Sequence, residues 1–68
     1  MRNHYIDGFT IWGVQHEINP NTFDLEAQRW PVSFHHGENE ANQEMAELNQ
    51  KGHEYDYLFV EADRQYDP

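Results

Sequence analysis

Ser33, His35 and His36 stand close together, just ahead of Glu38 and Glu40. A hydroxyl, an imidazole and a carboxylate are the parts of a nucleophilic triad. Residues this near in sequence rarely reach triad geometry, and 68 residues leave little room for a pocket that excludes water. With His53 the same histidines suggest a metal module. Zinc, however, takes three or four converging ligands, usually at a recognisable spacing, and neighbouring histidines on extended backbone point apart. There is no His-Glu-x-x-His pair, no Gly-x-Ser-x-Gly, no phosphate loop and no cysteine. Glu61 and Asp63, two residues apart, would lie ~6.7 Å apart on a strand and read as surface carboxylates rather than an acid–base pair. The reading is a protein that is not an enzyme, with no catalytic residue, metal or cofactor assigned.

Recognition chemistry is better represented. Thirteen acidic residues against four basic ones leave a net charge of −9. Such a field speeds encounter with basic surfaces and repels nucleic acid and anionic membrane. Arg2, Arg29, Lys51 and Arg64 are scattered and form no basic patch. No apolar run approaches the length of a membrane span, and Met1–Asp7 lacks the apolar core of a signal peptide. A soluble protein of a bacterial host's cytoplasm is the expectation. A single domain of this length, without disulfides, has a thin stability margin and draws extra stability from packing, a partner or self-association.

The elements that would position these groups read as ββαβ. Residues 1–4 read as loose. Tyr5 to His16, with Phe9, Thr10, Ile11, Trp12 and Val14, reads as a first strand. Glu17 to Asn21, with its Asn-Pro-Asn, reads as a turn. Thr22 to Trp30 reads as a second strand with Phe23, Leu25 and Ala27 on its core face and Asp24 and Glu26 opposite. A phase shift follows, because Trp30, Val32 and Phe34 continue the apolar pattern on even positions; a bulge near Arg29 or a break before Pro31 accounts for it. Pro31 to Gly37 then leads away from the sheet.

Glu38 to Lys51 is the one helix, rich in strong helix formers, with early acids, Lys51 in its last turn and Gly52 after it. Ala41, Met45 and Leu48 form its apolar stripe, and Glu40, Glu44 and Glu47 a parallel line about a quarter turn away. Tyr55 to Asp63 is the third strand and alternates: Leu58, Val60 and Ala62 on one face, Tyr57, Phe59, Glu61 and Asp63 on the other. Arg64 to Pro68 reads as a polar tail.

The fold class expected is α+β: a three-stranded antiparallel sheet in the order 2-1-3 with the helix on one face. One helix covers one face only. The other would present Trp12, Tyr57 and Phe59 between the carboxylates of Asp24, Glu26, Glu61 and Asp63, with Glu40, Glu44 and Glu47 as a second negative line. Aromatic centres with charged surroundings are typical of binding surfaces.

In length, charge, lack of cysteine, ββαβ order and the acidic strand Tyr57–Asp63, residues 5–63 resemble a class: the small acidic inhibitors encoded by bacteriophages and mobile elements. That class includes anti-CRISPR proteins, other nucleic-acid mimics and inhibitors of host RNA polymerase. The resemblance implies a phage protein whose partner is the basic surface of a nucleic-acid-binding complex, blocked by direct occupation, with RNA polymerase as the second candidate. The competing reading is a structural or regulatory homodimer assembled through the open sheet face.

Overall fold

The computed structural model describes residues 4–66. Residues 1–3, expected to be loose, and residues 67–68 of the expected tail lie outside the described part. Four elements follow in order: β1 (Tyr5–Ile18), β2 (Leu25–His35), α1 (Glu38–Lys51) and β3 (Tyr57–Tyr66). The strands form one antiparallel sheet in the order β2-β1-β3. The fold is thus α+β, with the strand order and helix bounds that the sequence predicts.

Pairing assigns the faces. Across β1 and β3, Phe9 lies opposite Ala62, Ile11 opposite Val60 and Gly13 opposite Leu58. Odd positions of β1 therefore share a face with the even positions of β3. The helix packs on that face, because Ser33 and His35 of β2, opposite Ile11 and Phe9, both reach Glu44 of α1. Ile11 and Ala41 are fully buried, and Met45 and Leu48 half-buried. At Gly13 the Tyr55 ring lies where a side chain would be, since a Cβ there would stand 2.5 Å from two of its ring carbons. That close approach explains a glycine inside the central strand.

The helix begins at Gly37, whose carbonyl accepts from the Ala41 N–H at 3.1 Å. It ends at Gly52, whose φ of 92° suits a residue without a Cβ and whose N–H donates to the Leu48 carbonyl.

β2 departs from its sequence reading. It starts later than Thr22, and it does not break at Pro31 but runs on to His35. The register slips between Ile11, opposite Ser33, and Trp12, opposite Pro31, so Val32 is an extra residue. Pro31 is tolerated because β2 is an edge strand and the bulge removes the need for its N–H. One extra residue inverts the alternation of everything before it. Leu25 and Ala27, expected in the core, therefore turn to the face away from the helix, and Leu25 is 67% exposed. Phe23 lies in the connecting loop with φ 60° and is 81% exposed. On β3 the strand continues through Arg64, Gln65 and Tyr66, which were expected in the tail.

β3 pairs with β1 only as far as Val14. Beyond it, residues 15–28 form a two-stranded arm with no third strand. Asn19 closes its tip: its N–H donates to the Asp24 carbonyl at 2.9 Å, its carbonyl accepts from Phe23, and its side-chain oxygen accepts from the Asn21 N–H. The molecule is long and thin, 48 × 33 × 15 Å. Its radius of gyration of 14.9 Å exceeds the roughly 11 Å of a compact chain of this length.

Candidate functional site

The face away from the helix is built on the even positions of β1. Gly8, Thr10, Trp12 and Val14 form its central row, with Asp63, Glu61, Phe59 and Tyr57 of β3 directly opposite. On the other flank stand Phe34, opposite Thr10, Pro31, opposite Trp12, and Arg29, opposite Val14. This is the aromatic row with carboxylates that strand alternation predicts. Thr10 and Val14 are buried beneath their larger neighbours, Trp12 and Phe59 are half-buried, and Tyr57 is 50% exposed.

The carboxylates on this face are not free. Thr10 Oγ1 donates to Asp63 Oδ2 at 2.6 Å. Arg29 lies 4.6 Å over the Trp12 ring and donates to Glu61 Oε2 at 3.2 Å, so one guanidinium serves both a ring and an acid. At the near end Asp56 accepts from the His16 backbone N–H and meets His16 Nδ1, each at 2.8 Å. Trp12 Nε1 is buried without a hydrogen-bond partner among the described residues.

These contacts move titrations. The Thr10 hydroxyl, followed by the Arg64 backbone N–H, holds the Asp63 carboxyl below its ordinary value of 3.8. The His16 side chain, then its backbone N–H, does the same for Asp56. A depressed carboxyl contributes stability that is present above its unfolded value and lost as pH falls through the folded one. Thr10→Val removes the largest cause at Asp63. The variant is expected to be less stable than the parent at about pH 7, and the gap to narrow as pH falls below about 4. Urea midpoints at neutral and acid pH check this; a gap that is constant with pH would show that the bond does not act through ionised Asp63.

The remaining expected site residues lie elsewhere. Asp24 is in the loop at the tip of the arm. Glu26 sits opposite Glu17, an odd position of β1, and so is on the helix side, corrected from the aromatic face by the inverted phase of β2. Glu26 Oε1 accepts from Asn19 Nδ2 at 2.9 Å, a neutral partner that leaves its charge uncompensated. Glu40 and Glu47 are exposed on α1, whereas Glu44 turns inward and accepts from Ser33 at 3.0 Å beside His35. The Ser33, His35 and Glu44 side chains thus converge, the serine and imidazole sharing one carboxylate oxygen. This ties the helix to the edge strand rather than setting up a relay in which the imidazole separates hydroxyl from acid. His36 turns to the other face, edge-on to Phe34, and His53 meets Asn49. Among the described residues no three histidine or carboxylate groups converge on a metal position, and no pocket is enclosed.

Three of the four basic residues are described. Arg29 is tied to Glu61 and Arg64 to Asp7 at 2.8 Å, while Lys51 ends the helix. Glu17, Asp24, Glu26, Glu38, Glu40 and Glu47 therefore project charge that no described lysine or arginine answers. The structure divides the two ingredients that sequence reading placed on one surface: aromatics with internally partnered acids on the open face, unanswered acids on the helix side and the arm.

Reasoning from sequence missed one group of residues. Ile18 and Leu25, a directly opposed pair on the arm, are 66% and 67% exposed. The signal available was two aliphatic residues flanking a polar turn. No protein-family profile, curated protein or solved structure matches this chain.

Proposed function

We propose that the chain is a binding protein, not an enzyme, that inhibits a nucleic-acid-handling complex by occupying its basic nucleic-acid-binding surface, in the manner of anti-CRISPR and other nucleic-acid-mimic inhibitors. The observation that carries the reading is the arrangement of charge. The described arginines are both held in internal ion pairs, and the unanswered carboxylates lie exposed on α1 and the arm. Spaced acids on a rigid frame can meet lysines and arginines that otherwise hold phosphates, and the field of the whole molecule speeds their encounter. Asp24, Glu26, Glu40 and Glu47 belong to that surface. Glu44, Glu61 and Asp63, tied within the fold, contribute at longer range.

The test is capture of partners from bacterial lysate at about 50 mM and about 500 mM salt, followed by titration of the purified complex that is recovered. Binding is expected to weaken with salt, to be displaced by added nucleic acid, and to fall roughly 100-fold in a Glu40→Lys/Glu47→Lys variant, since like charges then face the partner. Salt-independent binding that nucleic acid leaves untouched would overturn the reading.

A further inference from the structure

We infer that the open face of the arm, centred on Ile18 and Leu25 and continuing through Ala27 to Tyr57, docks against the same face of a second copy of this chain.

The first argument is area. The chain exposes 5394 Å², about 900 Å² more than the ~4,500 Å² of a compact monomer of its mass. A stable interface takes about 800 Å² from each partner. The thin dimension of 15 Å holds the sheet and one helix layer, so nothing among the described residues covers the opposite side.

The second is the distribution of charge along the arm. Glu17 and Glu26 are directly opposed, a like-charge pair that costs stability, and both point to the helix side. The other side of the arm carries His16, Ile18, Leu25 and Ala27, with Arg29 just beyond them, and no carboxylate. Two of the acids that adjoin this face are already engaged, Asp56 with His16 and Glu61 with Arg29. Asp24 at the tip apart, a basic partner finds no acid there without a partner already in place. A second copy presents a matching apolar surface and brings its own unanswered acids to the far side. Two-fold pairing needs only that one patch be complementary to itself.

The third is the conformation of the tip. Phe23 holds a left-handed backbone that disfavours any side chain, and its ring is still 81% exposed. Two-stranded ribbons are marginal in water alone, and small chains without disulfides commonly gain stability by self-association.

Salt separates this contact from the proposed inhibitory one. Apolar pairing of two chains of charge −9 strengthens as repulsion is screened, whereas binding to a basic surface weakens. The experiment is sedimentation equilibrium of the full chain from about 5 to about 500 µM. A species of twice 8.2 kDa is expected, with a dissociation constant at least about threefold lower in ~500 mM than in ~50 mM salt. Ile18→Asp and, separately, Leu25→Lys are each expected to weaken it at least tenfold, two opposite charges having the same effect because what each removes is apolar contact. Hydrogen exchange on the parent supplies a readout that needs no variant: protection at residues 16–18 and 25–27 is expected to rise with protein concentration. A monomer throughout the range, a dimer weakened by salt, a folded Ile18→Asp or Leu25→Lys that still dimerises, or protection independent of concentration would each overturn the inference. Glu40→Lys/Glu47→Lys lies off this face and is expected to leave the dimer intact, so the two contacts fail independently.

Discussion

Ile11→Ala is expected to leave most of the chain unfolded at 37 °C. Ile11 is fully buried at the middle of the central strand, between Ser33 and Val60, on the face that the helix covers. Among the described residues only Val14 and Ala41 join it as buried apolar side chains. Truncating a buried isoleucine costs about 2–5 kcal/mol, part transfer and part cavity. A domain of this size holds roughly 3–10 kcal/mol in total. The loss is therefore comparable with the whole, and at about 4–8 °C per kcal/mol the melting temperature falls by roughly 8–40 °C. Ile11→Val, which removes one methyl, is expected to cost about 0.5–1.5 kcal/mol and to remain folded. Thermal melts followed by circular dichroism distinguish the three proteins. An Ile11→Ala melt within a few degrees of the parent would mean that this side chain is not the centre of the core.

Gly8→Ala is expected to be nearly as damaging, for the opposite reason. A Cβ at Gly8 would lie 2.4 Å from Phe34 Cζ and 2.5 Å from the His35 carbonyl oxygen. The ring can move aside only by swinging the whole side chain about χ1, and the carbonyl belongs to the neighbouring strand and moves only if the ladder beside Phe9 and His35 opens. Overpacking of this kind costs about 1–3 kcal/mol, and the backbone contact puts Gly8 at the upper end. Gly13→Ala meets Cγ and Cδ1 of Tyr55 at 2.5 Å, the root of a ring whose neighbours Glu54 and Asp56 are hydrogen-bonded to β1, so its cost is expected to be comparable. Phe34→Leu in the Gly8→Ala background is expected to restore only part of the loss, since the carbonyl stays. Urea midpoints measured with the slope held constant give the order. Full rescue by Phe34→Leu would show that the ring alone is the obstacle.

These two positions mark what could be read before any coordinates. Gly8 is silent in the sequence, because its neighbour in space is 26 positions away and is fixed by the register of β2. The helix was legible to the residue, since Glu38, Lys51 and Gly52 each carry an end signal. β3 was legible because its two faces differ in kind. The strand order followed from connection rules. β2 was not legible: Trp30-Pro31-Val32 shows that a phase is lost but not where, and placing the slip at Val32 sends Leu25 and Ala27 to the other face. The site suffered from the same gap. Glu61 and Asp63 read as open carboxylates because their partners, Arg29 and Thr10, are set by cross-strand register, which alternation does not reveal. Glu44 reads with Glu40 and Glu47 as one negative line, and its engagement with His35 depends on how the helix is rotated on the sheet.

The pairing of Tyr5 with Tyr66 has a consequence for how the fold is reached and lost. Ile18 meets Leu25 across a short loop, so β1 and β2 can zip from the Asn19 turn outward at little cost in chain entropy. β3 must instead return across nearly the whole chain to lie beside β1, and contacts of that span are the slow ones. The hairpin is then the early framework and β3 the late-closing latch. Contacts made only after the barrier govern how fast a protein comes apart. Substitutions that weaken Tyr57–Tyr66 are therefore expected to speed unfolding more than they slow folding, which stopped-flow chevrons would show.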